Sequence, residues 1–180
     1  MSLGQTVASD RQLARLLQIG VVLEEMVEAS AHHHVRKRDA ELDEPVAALL
    51  EEAATESARH REQLEALIAE LDADSVAYEE IQALVEAQYA AADEFDDVLY
   101  DQLCNEETAY KFYDDLLGAL GATDDETTDA VSTGEASATV LADETAISVD
   151  RDRLVATLRE IRAEEADGVE TVTDMMERRA

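Results

Sequence analysis

The stretch from residue 99 to residue 120 constrains the fold of this chain more than any other. Its apolar residues recur at about 100° per residue, as they do on one face of an α-helix. That face carries Phe95, Leu99, Leu103, Tyr110, Tyr113, Leu117 and Leu120. Glu106 lies in the middle of this face, where burying an unpaired carboxylate costs several kcal/mol. Because lysine is nearly absent from the chain, a metal ion is one candidate partner. A Glu–Arg pair and a solvated glutamate at the end of a bundle are the alternatives.

Other stretches have the same amphipathic pattern and the same kind of interruption. Apolar stripes and capping residues predict helices at about 10–34, 45–71, 76–120 (with a break near 93) and 150–177. In the first, second and last of these helices, the stripe contains one polar residue near its middle. These residues are Glu24, His60 and Glu165.

The composition favours helices over sheets. Apolar residues make up 46% of the 180 residues, yet there are two Phe, no Trp and one Pro, so alanine and leucine fill the interior. We therefore predict an all-α protein with a single domain over residues 1–180. The segment 121–149 is rich in Thr, Ser, Asp and Ala and has no helical stripe. It is predicted to be a long acidic loop inserted before the last helix, with a short hairpin at 138–149 as the alternative.

The charge of the chain argues against two classes of partner. Its 44 acidic and 14 basic residues give a net charge of −30, which repels nucleic acid and anionic lipid membranes. The even spread of acids resembles the salt-adapted proteins of halophiles, and in molar salt the Debye length is only about 3 Å. We expect a cytoplasmic protein, because no apolar run is long enough to span a membrane and no signal peptide opens the chain.

Two smaller features carry expectations of their own. Cys104 is the only cysteine, so a disulfide framework or a cysteine-based metal site is ruled out and a packed thiol is expected. His32, His33 and His34 follow one another near the predicted end of the first helix. Three consecutive residues spread around a helix and cannot all bind one ion. When protonated, they are expected to interact favourably with the C-terminal helix dipole.

The four polar residues on the apolar faces predict a cation site. Glu24, His60, Glu106 and Glu165 each lie about halfway along a helix, so all four could meet in one layer of a four-helix bundle. Three carboxylates and one imidazole make a poor structural core but a good set of metal ligands. Oxygen ligands with one nitrogen suit iron or manganese, with zinc as an alternative.

At this point the chain resembles the ferritin-like superfamily, and its rubrerythrin and bacterioferritin branches in particular. In these di-metal carboxylate proteins, two helices supply one Glu each and two supply a Glu-x-x-His pair. The segment NEETAYKFY, with Glu106, Ala109, Phe112 and Tyr113, is similar to the family's Glu helix. Glu24 matches the first Glu helix. The resemblance implies a four-helix bundle with a long crossover connection.

Two of the six ligands that the family would have are missing here. The second helix reads Ser57-Ala58-Arg59-His60, and the last reads Glu165-Ala166-Asp167-Gly168. The resemblance therefore implies one good metal position, formed by Glu24, His60 and a bridging Glu165.

A second metal position would be weak or empty under the same resemblance. It would keep Glu106 and share Glu165. Glu56, Glu164 and Glu28 are the residues that could replace the missing ligands.

The resemblance also carries expectations about function. An intact relative would bind iron that reacts with oxygen or peroxide, which makes this chain a candidate oxidoreductase or iron-handling protein. Tyr110 and Tyr113 would then pass electrons or hold ligand hydrogen bonds, with aromatic core filler as the other reading. The chain lacks a cysteine-ligated iron module, so electrons would come from a separate donor or from the bound metal itself. A homodimer is also expected. The alternative function is a bundle that has lost its metal and acts as a scaffold or interaction protein.

Overall fold

A computed structural model of the chain describes residues 6–38, 42–91, 97–122 and 147–179. These residues form five α-helices: α1 (Asp10–Arg38), α2 (Glu44–Ile68), α3 (Tyr78–Ala91), α4 (Val98–Ala119) and α5 (Arg151–Glu177). No strand occurs within the described ranges, which confirms the all-α prediction for that part of the chain.

The predicted stretch 76–120 corresponds to two helices, α3 and α4. The break expected near residue 93, together with Phe95, lies outside the described residues. The acidic insertion predicted at 121–149 also lies almost wholly outside them, because the description stops at residue 122 and resumes at 147.

Local capping explains where the helices begin and end. The Asp43, Asp97 and Asp150 side chains accept hydrogen bonds from backbone N–H groups in the first turns of α2, α4 and α5, which satisfies donors that lack a partner in the helix. At the end of α4, Gly121 has φ +67°, and the Ala122 N–H donates to the Leu117 carbonyl at 2.9 Å. This left-handed glycine turn stops the helix.

The helices bury their apolar faces in two separate clusters. The larger cluster includes Leu17 of α1, Leu64 of α2, Leu116 of α4 and Leu158 of α5. The smaller cluster joins residues nearer the other ends of the same four helices: Ala31, Leu50, Leu99 and Val172. Along each helix, the polar residue predicted on the apolar face falls between the two clusters. The bundle therefore has a polar layer between two apolar cores.

Ion pairs and hydrogen bonds around Arg61 connect α1, α2 and α3. Arg61 of α2 donates to the carboxylates of Glu25 and Glu28 on α1. Its guanidinium also lies over the ring of Tyr78 on α3, 4.3 Å from the ring centroid. The Tyr78 hydroxyl in turn donates to Glu25 at 2.6 Å. Because Glu25 is buried, this pairing offsets the cost of removing its charge from water.

One sequence-based expectation about an individual residue is wrong. Cys104 is exposed rather than packed, because it shares a face of α4 with the exposed Tyr100, Glu107, Thr108 and Lys111.

The histidine run lies in the last two turns of α1, which continues to Arg38, and its interaction with the helix dipole stays a prediction. His33 and His34 are buried. The His34 Nε2 atom lies 3.4 Å from Asp101 of α4, and the His33 ring packs near that of Tyr89 on α3.

Within the described part of the chain, no helix is both long and apolar enough to cross a membrane.

Asp10 links three distant segments of the chain. Ser9 caps α1 by accepting from the Gln12 N–H, which leaves the buried Asp10 carboxylate to accept from the Asp72 N–H at 3.0 Å and the Ser148 N–H at 2.8 Å. The Ser148 hydroxyl also donates to it. Hydrogen bonds from Ser148 lower the pKa of Asp10 against the opposing effect of burial.

We predict that Asp10→Ala lowers the free energy of unfolding by about 2 kcal/mol, the typical value of hydrogen bonds to a charged group. Asp10→Asn keeps one acceptor oxygen and should cost less. Urea unfolding followed by circular dichroism at fixed salt measures both. Equal stability of Asp10→Ala and the wild-type chain would contradict this role.

Candidate metal centre

Four helices each place one polar residue in the layer between the two apolar cores. The exposed fractions of these side chains are 0% for Glu24 of α1 and His60 of α2, 8% for Glu106 of α4, and 3% for Glu165 of α5. Each residue occupies the middle of an apolar stripe, so helical packing carries it inward with its neighbours. The layer therefore contains three buried carboxyl groups and one buried imidazole.

Glu24, His60 and Glu165 form the innermost group. Their potential ligand atoms all lie within 4.8 Å of one another. The His60 Nδ1 atom is 3.0 Å from Glu165 Oε1 and 3.5 Å from Glu24 Oε2. Glu24 Oε2 is fully buried and makes no hydrogen bond, although a buried carboxylate oxygen normally has a partner. This orphaned oxygen beside an imidazole nitrogen and a second carboxylate fits a metal ion, so the group could bind one.

The second ring nitrogen of His60, Nε2, also has a carboxylate partner. This atom lies 2.7 Å from Glu164 Oε2, and the same oxygen accepts from Arg59 at 2.8 Å. Metal-binding histidines usually donate their second ring N–H to a carboxylate, which fixes the tautomer and the ring orientation. Glu164 is placed to do this for His60, leaving Nδ1 to face the innermost group.

Glu56 belongs to an outer group rather than the innermost one. Its carboxylate, His60 Nε2 and the Glu164 carboxylate also lie within 4.8 Å of one another. Glu56 is only partly buried and is 3.6 Å from the Arg59 guanidinium. Arg59 therefore competes with any cation at this outer group.

Glu106 lies beside the innermost group and is fixed from several sides. Gln102 donates to its Oε1 atom at 2.6 Å, and the carboxyl groups of Glu106 and Glu165 each influence the pKa of the other. Its Oε2 atom lies against Gly168, where an added Cβ atom would be only 2.5 Å away. Glycine at this position thus makes room for the Glu106 carboxyl group.

The two predicted tyrosines have different surroundings. Tyr113 is fully buried, and its hydroxyl donates to Glu24 Oε1, so it orients a residue of the innermost group. Burial first, and then the charge of Glu24, raises the pKa of Tyr113, so the hydroxyl keeps its proton. Tyr110 is partly buried, and the Arg162 guanidinium lies 5.5 Å from its ring centroid.

Protonation supplies positive charge to the layer. Burial alone would lower the pKa of His60, but contacts with Glu165 and Glu24 raise it to about 10. Burial raises the pKa of Glu165; its hydrogen bond with His60 opposes this, and the charge of Glu24 adds to it. Burial likewise raises the pKa of Glu106, against its hydrogen bonds with Glu165 and Gln102. Without metal, the side chains of this layer therefore keep protons near pH 7, whereas exposed histidine and glutamate side chains would release theirs.

The structure brings Glu24, His60 and Glu165 together, with Glu106 joined to Glu165 and Glu56 in the outer group. Sequence reasoning named Glu164 only as a substitute ligand and missed its role beside His60. A sequence signal for this role does exist. Arg59 directly precedes His60 on α2, and Glu164 directly precedes Glu165 on α5. Where these two helices meet at the innermost group, Arg59 and Glu164 are therefore also brought together.

In comparisons with known proteins, no family model, curated protein or solved structure matches the chain.

We predict that the metal-free protein loses stability as the pH rises from about 6.5 to about 10. The folded chain binds protons at His60 and Glu165 more tightly than the unfolded chain does. The stability that His60 contributes is full below its ordinary pKa of 6.5 and is lost as the pH passes its raised value of about 10. The raised pKa of Glu165 acts in the same direction.

Melting temperatures measured with chelator in molar KCl should fall by several degrees across this range. The double variant His60→Gln/Glu165→Gln is the control and should give a flatter profile, because amides do not titrate. The same fall in both proteins would contradict the assignment.

Proposed function

We propose that this chain is a ferritin-like metalloprotein that binds a divalent transition-metal ion through Glu24, His60 and Glu165. The observation that carries the proposal is the orphaned Glu24 Oε2 atom, buried beside His60 Nδ1 and the Glu165 carboxyl group. A divalent cation would give this oxygen a closer partner than His60 Nδ1, which is 3.5 Å away, and would replace the protons that the layer holds without metal.

The balance of charge supports the same proposal. Three ionised carboxylates beside a neutral imidazole would place a charge of −3 in a layer with almost no access to water. Removing charges from water costs several kcal/mol per ion unless they are paired. A divalent ion cancels most of this charge, whereas a protonated His60 cancels only one unit of it.

The ligand chemistry supports iron or manganese, with zinc as the alternative. Bound iron or manganese would supply redox chemistry with oxygen or peroxide, which makes an oxidoreductase or iron-handling role the favoured finer function. The chain's own residues would orient the ligands: Tyr113 holds Glu24, and Glu164 holds His60. Glu106 would supply a carboxylate to a second, weaker position. The homodimer and the separate electron donor stay predictions.

A metal-free scaffold is the second candidate function, and a specific observation favours it. The small residues Ser57, which is buried, and Gly168 stand where the family would supply further ligands. His60 has a carboxylate oxygen within 3.0 Å of each ring nitrogen without any metal. Added metal would leave the melting temperature of such a scaffold unchanged, because only a ligand that binds the native state stabilises it.

We predict that the purified chain takes up about one equivalent of Fe²⁺ or Mn²⁺ after removal of bound metal and anaerobic reloading. Glu24→Gln should remove most of this uptake, because the amide retains the shape and an acceptor for Tyr113 but loses the charge. Glu25→Gln is a matched control, since Glu25 is also buried on α1 but is paired with Arg61 and Tyr78.

Elemental analysis after desalting measures the bound metal. Retention of the wild-type amount by Glu24→Gln, or an equal loss in Glu25→Gln, would contradict the assigned ligands. Absence of uptake by the wild-type chain would favour the scaffold function.

We also predict that metal binding at pH 7 releases protons, because ligands must lose their protons to coordinate. The protons come from His60 and the neighbouring carboxyl groups, since the pKa values of His60 and Glu165 are raised. Exposed carboxylates are already ionised at this pH, so adventitious surface binding would release none. A pH indicator in weakly buffered, metal-free protein measures the release, and zero release on stoichiometric binding would place the ion elsewhere.

A further inference from the structure

A cavity of about 240 Å³ lies directly beside the proposed metal centre. Its wall includes five carboxyl groups and one glycine: Glu52, Glu56, Glu106, Glu164, Asp167 and Gly168. We name this space the acidic cavity. Larger cavities of about 450 and 520 Å³ lie elsewhere, and their linings contain none of the residues of the innermost or outer group.

The carboxyl groups of the acidic cavity form a gradient from solvent to the interior. Glu52 and Asp167 are exposed. The side chains of Glu56 and Glu164 are 34% and 29% exposed. Glu106 is the most buried of the five. Glu164 connects the cavity wall to the innermost group, because its Oε2 atom lies 2.7 Å from His60 Nε2. Acidic groups of decreasing exposure therefore lie between the surface and the centre.

Gly168 determines where the acidic cavity meets Glu106. A Cβ atom at this position would lie 2.5 Å from Glu106 Oε2 and 2.9 Å from its Cδ atom. Any other side chain would thus displace the Glu106 carboxyl group from its position. Because residue 168 is glycine, this carboxyl group can lie in the cavity wall and contact the innermost group at the same time.

The size and the charge of the acidic cavity suit a hydrated cation. One water molecule needs about 15 Å³ of such cavity volume, so an ion with six waters needs roughly 90 Å³ of the 240 Å³ present. A cleft lined by one sign of charge attracts ions of the opposite sign and raises their association rate. Arg59 opposes this attraction, but its guanidinium is engaged by Glu164 at 2.8 Å and lies 3.6 Å from Glu56.

We propose that the acidic cavity is the path by which a hydrated divalent cation reaches the metal centre. In this path, Glu52 and Asp167 attract the ion, and Glu106 passes it to Glu165. The inference rests on the proposed function, because a path is meaningful only if the centre binds metal. It assigns to Glu52, Asp167 and Gly168 a role in the rate of metal uptake and none in the final affinity.

The test measures how fast the metal-free chain takes up Co²⁺, by stopped-flow absorbance. The cavity variant is Glu52→Gln/Asp167→Asn, which removes two exposed charges at the mouth. The control is Glu62→Gln/Asp152→Asn, which removes two exposed charges from the same two helices and alters the net charge equally. Uptake is compared at 3 M KCl and at the lowest KCl concentration at which circular dichroism shows the folded chain.

At the lower salt concentration, we expect the cavity variant to take up Co²⁺ about fivefold more slowly than the wild-type chain. The final stoichiometry should be unchanged, and the control should match the wild-type rate. The difference should shrink in 3 M KCl, because salt screens exposed charges.

Equal rates in the two variants would overturn the path, as would a loss of equilibrium binding in the cavity variant. Failure of the wild-type chain to bind Co²⁺ at all would instead refute the proposed function.

Discussion

The structure depends on how three carboxyl groups are accommodated between two apolar cores. Glu24, Glu106 and Glu165 are nearly inaccessible to water, and the one imidazole among them is His60. Removing the partner of a buried charge typically costs about 3–5 kcal/mol, so the layer must hold positive charge in every state of the protein. Protons on His60 and within the Glu106–Glu165 pair meet this need without metal. A divalent ion would meet it in the proposed holoprotein.

The residues around the layer limit how its members can move. Tyr113 holds one oxygen of Glu24, Gln102 holds one oxygen of Glu106, and Glu164 holds the outer nitrogen of His60. Ligand atoms of Glu24, His60 and Glu165 lie within 4.8 Å of one another, whereas Glu106 Oε2 lies against Gly168. Rigid helices on all sides, rather than loops, carry these groups, which favours a preorganised ligand set. The same arrangement accounts for Gly168, because a larger residue would displace Glu106.

Helical periodicity was sufficient to predict the centre of each apolar face. Glu24, His60, Glu106 and Glu165 were found because a residue in the middle of a stripe is buried whichever helix covers it. The all-α class followed from the same stripes. Caps such as Asp43 and the glycine turn at Gly121 could also be predicted, since both depend on neighbouring residues in the chain.

Residues at the edge of a stripe could not be placed in this way. The burial of Glu25 depends on Arg61 and Tyr78, which reach it from other helices. Asp10 meets Ser148, which is 138 positions away. His33 and His34 become buried because α3 and α4 cover the last turns of α1. Such contacts depend on the arrangement of the helices, which one amphipathic pattern does not specify.

The most direct test of the central claim is a crystal structure of the chain grown with Mn²⁺, with anomalous diffraction used to locate the ion. The account predicts a single strong anomalous peak coordinated by Glu24 Oε2, His60 Nδ1 and the Glu165 carboxylate. It would be contradicted by crystals in which His60 Nδ1 keeps its hydrogen bond to Glu165 at saturating Mn²⁺ and the ion lies only among exposed acids.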